Sequence, residues 1–200
     1  MKPIKISLLF FLISCSTTIE QIQSDTDILT YEELSRSFVS CSGYGSISTT
    51  GNFNGNLSFS FLSQNDSSFF QFQDFLGRKV LLMWLTPDSV DAWNILENKR
   101  YNYSLIKDFF PLLTVVEPID ITKFLWGHES VYHAEDFIIL GGEMNELSIT
   151  FEKSNNNENL INKAIFQDGT NRQDVAIILK SRVHSEEYID LDKIWNLMLI

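Results

Sequence analysis

The chain is poor in basic residues, in histidine and in long apolar runs, and each shortage removes a class of function. Fifteen lysines and arginines stand against 26 aspartates and glutamates, for a formal charge of -11. No basic stripe is therefore available to neutralise a nucleic-acid backbone. A charge of that sign is also repelled by anionic headgroups, which leaves apolar side chains or a covalent lipid as the means of meeting a membrane. The apolar run near the N terminus, Ile6 to Ile13, is far shorter than the roughly twenty residues that span a bilayer. There is no Gly-x-Ser-x-Gly elbow and no phosphate loop, and Gly43-Tyr44-Gly45 lacks the third glycine of a dinucleotide fingerprint. Of the three histidines, His128 and His133 fall on opposite faces of any strand, and His133 with Glu135 supplies two metal ligands at most. Carboxylates are plentiful but form no motif that marks an acid and base pair. We expect no metal, no cofactor and no enzymatic activity.

What is present begins at the N terminus. Lys2 and Lys5 precede the apolar run, and Ser14 is a small residue at a cleavage point, the three parts of an export signal. Leu12-Ile13-Ser14-Cys15 resembles the bacterial lipobox, in which the cysteine sulfur is diacylated and the new amino terminus acylated. That resemblance implies a signal peptide over residues 1–14 and lipidation of Cys15. Each buried methylene of such an anchor contributes about 0.8 kcal/mol, and two or more chains make anchoring stable. Ser16, the next residue, resembles an outer-membrane sorting signal, so the expected location is the bacterial envelope, at the periplasmic face of the outer membrane. Residues 15–29 are polar without a sustained apolar period and read as a spacer. Residues 30–200 have the length of one domain. Loss of Lys2 and Lys5 with the signal takes the formal charge to -13. With Cys15 acylated only Cys41 remains, so no intrachain disulfide forms, and Cys41 reads as a small buried hydrophobe.

Thr30 with Glu33 is a capping-box pair, and Tyr31, Leu34 and Phe38 recur at helical spacing up to about Val39. From Gly43 to Leu85 the period switches to two, with Leu57, Phe59 and Phe61 alternating with Asn56, Ser58 and Ser60. Gly51-Asn52-Phe53-Asn54-Gly55 and Gln64-Asn65-Asp66-Ser67 leave only hairpin-length gaps, which predicts an antiparallel meander. Further strands are expected over Ser68–Phe72 and Lys79–Leu85, the latter apolar at both parities and so covered on both faces. A strand over Val90–Leu96 is expected to turn at Glu97-Asn98-Lys99 into Arg100–Tyr103. Ser104 is placed to cap a helix over Leu105–Phe110, and Pro118 to open another over Ile119–Trp126 that Gly127 ends. Strands are then expected over Tyr132–Leu140, Glu146–Lys153, Leu160–Phe166 and Asp174–Val183. In the tail, Ile189 to Ile200, helix and strand stay open.

A lipobox, a polar spacer, an N-terminal helix, a long antiparallel meander and two short helices midway together resemble LolB, the outer-membrane lipoprotein receptor family, over most of the chain beyond the signal. Leu76-Gly77 matches the Leu-Gly of that family's Asn-Pro-Leu-Gly-like turn, and Thr122-Lys123-Phe124-Leu125-Trp126-Gly127 resembles its aromatic, apolar, Gly helix end. Asp74 and Phe75 depart from the asparagine and proline usual there, so the likeness extends to the wider superfamily. It implies an α+β, mainly β fold: an antiparallel half-barrel meander whose short helices close an apolar cavity. It also implies a leucine, here Leu76, that touches the membrane, with Phe75 beside it doubling a contribution of about 1.5 to 3 kcal/mol.

From the residues alone Phe75 and Leu76 suit a core as well as a membrane, and Asp74 opposes insertion unless its carboxylate faces water. Sixteen phenylalanines suit either a filled core or wide walls for an acyl chain. If a cavity exists, Phe59, Phe61, Phe72, Leu82, Trp84, Phe124 and Leu125 are its expected lining. The function so implied is binding the acyl chains of other lipoproteins, received from a periplasmic lipoprotein carrier, and helping insert them into the membrane. The alternative is an envelope-tethered binding or scaffold lipoprotein with no transfer activity.

Overall fold

A computed structural model describes residues 30–51, 54–109, 111–133, 136, 147–153, 160–169 and 172–197. The lipobox, Cys15 and the spacer lie outside them. Helix α1 (Tyr31–Ser37) starts on the expected capping box: Thr30 Oγ1 accepts from Glu33 N at 3.3 Å, and Thr30 N donates to Glu33 Oε2 at 2.7 Å. The meander follows as β1 (Ser40–Thr50), β2 (Gly55–Gln64), β3 (Ser67–Gln73), β4 (Lys79–Thr86), β5 (Ser89–Asn94) and β6 (Lys99–Tyr101). Asn65 and Asp66, at φ 50° and 60°, make the tight turn between β2 and β3, a conformation their short side chains tolerate. β5 stops two residues earlier than its pattern predicts, because Ile95 to Asn98 form the turn and Asn98 takes a positive φ.

Helix α2 (Tyr103–Phe109) also departs from expectation at its start. Asn102, not Ser104, caps it, its Oδ1 accepting from Leu105 N at 3.1 Å. A 3-10 turn (Pro111–Thr114) leads to α3 (Pro118–Trp126), with proline in its first turn and Gly127 at φ 102° ending it. The expected strand from Tyr132 does not begin there. The Tyr132 hydroxyl donates to Asp120 Oδ2 of α3 at 3.0 Å, which holds this stretch along the helix instead. Most of that predicted strand, together with Glu135, lies outside the described residues. The chain then forms β7 (Leu147–Lys153), β8 (Ile161–Asp168) and β9 (Gln173–Ser185), and the undecided tail is a helix, α4 (Leu191–Leu197).

Among the described residues all nine strands form one open antiparallel sheet in the order β6-β5-β4-β3-β2-β1-β9-β8-β7. The last strand therefore pairs with the first, with Ile47 opposite Ile177 and Gly43 opposite Arg182. The fold is α+β and mainly β, as expected.

The two faces of the sheet are covered by different helices. On the inner face, Phe59, Phe61, Phe70, Phe72 and Leu85 pack with α1 and α3 through Leu34, Phe124, Leu125 and Trp126. On the outer face, Phe69, Leu82 and Trp84 pack with Leu191, Ile194 and Trp195 of α4. β4 is thus covered on both sides, as its composition requires.

Candidate functional site

Four turns emerge at one end of the sheet, joining β1 to β2, β3 to β4, β5 to β6 and β8 to β9. The β3–β4 turn carries Phe75 and Leu76, which are 89% and 63% exposed. That exposure excludes the core reading of this pair. Asp74 builds the turn: its Oδ1 accepts from Leu76 N and Arg78 N, both at 3.0 Å, and its Oδ2 accepts from Arg78 Nε at 2.8 Å. Gly77 takes φ 77°, and the hydrogen bond from Gly77 N to Asp74 O at 2.9 Å closes the loop. Burial pulls the Asp74 carboxyl upward, but the Arg78 side chain, the two backbone donors and the Arg78 charge outweigh it, holding the group below the ordinary carboxylate range. The carboxylate expected to oppose insertion is therefore turned back into the loop and paired, while the two apolar side chains beside it stand in solvent.

Beneath this end lies the inner face. Phe59 and Phe72 are register partners, as are Phe61 and Phe70, and their rings meet across the strands. The centroids of Phe59 and Phe72 are 5.7 Å apart, and those of Phe70 and Phe72 are 5.7 Å apart and nearly parallel. Gly43 and Gly45 of β1 make room for them. A Cβ on Gly43 would collide first with the Ser181 carbonyl oxygen of β9 and then come within 2.8 Å of the Phe61 ring, and one on Gly45 would collide first with the Ile178 carbonyl oxygen and then come within 2.7 Å of the Phe59 ring. The glycine pair that fails as a nucleotide fingerprint thus serves the close approach of the β9 backbone and of the aromatic rings. Toward the turns the apolar surface continues through Ile47, Leu57, Leu81 and Ile177, which are only half-buried.

α3 spans the other end of this face and is held by polar contacts. Trp126 Nε1 donates to Ser63 Oγ at 2.8 Å, Ser68 Oγ donates to Ser63 Oγ at 2.9 Å, and Ser68 Oγ lies 2.9 Å from Thr122 Oγ1. Arg182 of β9 donates to the carbonyls of Leu125 at 2.6 Å and Phe124 at 3.1 Å, satisfying the C-terminal end of the helix with a cation. Nothing in sequence spacing singles out Arg182, since its partners are some 57 residues away. Cys41 Sγ lies 3.7 Å from Leu125 O, and burial pushes its thiol up to about 12 against the opposing pull of Arg182. It is a packed hydrophobe, as expected.

Of the expected lining, Phe59, Phe61, Phe72, Phe124 and Leu125 come together on the inner face. Leu82 and Trp84 do not: they point to the outer face, against α4, and share no space with the others. β4 is apolar at both parities, so alternation could not say which set faced inward. Phe72 faces Leu81 in register, which assigns Leu81 and Met83 to the inner face and excludes Leu82 and Trp84. Among the described residues no group of three His, Cys, Asp or Glu side chains is placed to hold a metal ion. Nor is any helix among them long and apolar enough to cross a membrane.

Fold and site together define a mainly β protein with one helix-covered aromatic face and an exposed apolar turn at the end of its sheet. No family model matches the chain, and no curated protein matches it. Among solved structures it is similar to a DUF1329 family protein from Desulfovibrio piger, at 10% identity and a TM-score of 0.40, over 80% of this chain and 93% of that one. A likeness at that level bears on neither activity nor partners.

Proposed function

We propose that this chain is a lipid-anchored envelope protein that takes the acyl chains of other lipoproteins onto its inner face and passes them to a membrane at the Phe75–Leu76 turn. The observation that carries the reading is the turn itself. Two large apolar side chains are held in water by a loop that Asp74 locks with three hydrogen bonds. A folded chain gains nothing in stability from holding such a pair in solvent, whereas entry into hydrocarbon contributes about 1.5 to 3 kcal/mol for each side chain. That is enough for contact and weak enough for release. The half-buried Ile47, Leu57, Leu81 and Ile177 extend an apolar surface from the phenylalanine cluster toward the same end, the path an acyl chain requires. In the described conformation the phenylalanines pack on one another, so an incoming chain displaces ring contacts. Binding and release need no covalent step. The order of elements and the Leu76-Gly77 turn, which resemble the LolB family, support the same reading, and Cys15 in its lipobox supports a fixed receptor over a free shuttle.

The packed state of the phenylalanines favours one other reading, a tethered binding or scaffold domain with no transfer activity. The two separate in a single experiment. The full chain carrying Cys15→Ala, which has no acyl anchor, is offered a fluorescent acyl probe and an acylated lipoprotein on a periplasmic carrier. Uptake of either supports acyl handling; failure to take up both leaves the scaffold.

A further inference from the structure

We propose that the end of the sheet bearing the β3–β4 and β5–β6 turns docks on an anionic bilayer surface, with Phe75, Leu76 and Leu96 entering the apolar layer and Lys79, Lys99 and Arg100 meeting headgroup phosphates. The proposal rests on the membrane reading of the Phe75–Leu76 turn and adds to it a second inserting loop and a headgroup charge.

The two turns lie side by side. Ile95 N donates to Val80 O at 3.0 Å, and Leu81 faces Asn94 in register. Leu96, at the tip of the second turn, is 61% exposed and so joins Phe75 and Leu76 as a third large apolar group at this end. Immediately behind them stand exposed cations. Lys79 follows the first turn, while Lys99 and Arg100 follow the second and face Asn94 and Trp93. Lys99 Nζ lies 4.9 Å from the centroid of the Tyr101 ring, and the Arg100 guanidinium carbon lies 5.3 Å from that of Trp93. Trp93 Nε1 in turn donates to Asn98 Oδ1 at 3.2 Å. Apolar tips backed by aromatic rings and long cationic side chains form the sequence of groups that matches the depth profile of a bilayer, from hydrocarbon to phosphate.

These two turns carry more cations than carboxylates, opposite to the balance of the chain. In these two turns Lys79 and Lys99 stand beside one carboxylate, Glu97, because Asp74 is paired with Arg78 at 2.7 Å, while Arg100 lies over the Trp93 ring. The formal charge of -11 does not decide the contact. At physiological ionic strength charges more than about 8 Å away are largely screened, so a surface responds to the groups that touch it. The repulsion expected from composition applies to the rest of the molecule and orients it, turning this end toward the lipid.

The test uses the full chain carrying Cys15→Ala, floated with vesicles of phosphatidylcholine alone or with phosphatidylglycerol added. Residues 1–29 are the same in every variant, so differences between variants on the same vesicle report the residues beyond them. Each cation at such a surface is worth about 1 kcal/mol, or about fivefold in partitioning. The expected result is binding at least about tenfold stronger to the anionic vesicles. Lys79→Gln, Lys99→Gln and Arg100→Gln together remove that preference and leave the weaker binding to phosphatidylcholine. Phe75→Ser with Leu76→Ser lowers binding to both vesicles. Raising salt toward 1 M, where screening acts within about 3 Å, erases the preference of the unsubstituted chain without any substitution. Equal binding to both vesicles overturns the headgroup inference and leaves the apolar-turn reading standing. Vesicle binding unchanged by Phe75→Ser with Leu76→Ser overturns the apolar-turn reading and the docking that rests on it. Charge-dependent binding of polyglutamate with no binding of vesicles assigns the cations to an acidic protein partner and also overturns the proposal.

Discussion

At the scale of single residues, Asp74 decides whether Phe75 and Leu76 are held out together. Its two oxygens serve Leu76 N, Arg78 N and the Arg78 side chain, and alanine would leave the two backbone donors to water. Asp74→Asn keeps an acceptor for those donors and loses the charge pair and the hydrogen bond from Arg78 Nε. Amide exchange at Leu76 and Arg78 is expected to quicken strongly in Asp74→Ala and slightly in Asp74→Asn. The same contacts lower the Asp74 carboxyl from its ordinary value, which is about 3.9. The ordering it provides is therefore complete above that value and is lost as pH falls through the lowered one. Slow exchange at these amides that persists after Asp74 is protonated would show that the carboxylate is not the organiser. Leu76→Glu tests the apolar tip: because the residue is exposed, stability should change by no more than about 0.5 kcal/mol, while vesicle binding falls. Cys41 makes a contrary prediction. With its thiol pushed up to about 12 by burial, it should resist alkylation at pH 8 in the folded chain and react once denaturant opens it, as measured in the Cys15→Ala background.

At the scale of elements, local signals in the sequence were enough wherever one chemical rule dominated. Thr30 and Glu33 marked α1, Pro118 and Gly127 bracketed α3, and the polar partners of Leu57, Phe59 and Phe61 marked β2, because caps and half-buried alternation are local. What could not be read locally was which face an element presents. β4 is apolar throughout, so its pattern does not separate Leu82 and Trp84 from the residues that face Phe59, although the register turns them the other way. The short apolar tail suits helix or strand by pattern, and its helix, α4, is fixed by packing over those two residues. The pattern at Tyr132 suggests strand because its side-chain tie to Asp120 is a tertiary contact with no spacing signature. The contacts of Arg182 with the end of α3 have no spacing signature either. The separation of faces has a measurable consequence. Leu82→Ala should cost about 2–5 kcal/mol in denaturant unfolding and leave acyl-probe binding unchanged in the fraction that remains folded. Weakened probe binding in folded Leu82→Ala would contradict the assignment of Leu82 to the outer face. On the other side, Trp126→Ala removes both a buried ring and the donor to Ser63, so a loss of about 3–5 kcal/mol is expected, with the tie between α3 and β2 broken.

At the scale of the whole molecule, one sheet separates two apolar layers that serve different ends. The outer layer under α4 closes the fold. The inner layer, floored by Gly43 and Gly45 and walled by phenylalanines, runs from α3 toward an end where apolar side chains and cations stand exposed together. Under the proposed function this arrangement would give acyl chains a direction, with entry over the aromatic face and exit at the turns. The proposed function requires that acyl chains lie on the inner face. It is tested most directly by an acyl chain bearing a photoreactive group, bound to the Cys15→Ala chain and cross-linked by light, with the labelled residues mapped by mass spectrometry. Labelling is predicted at Phe59, Phe72, Leu81 and their neighbours on the inner face. Labelling confined to Leu82, Trp84 and α4, or no labelling above that of a denatured control, would contradict it.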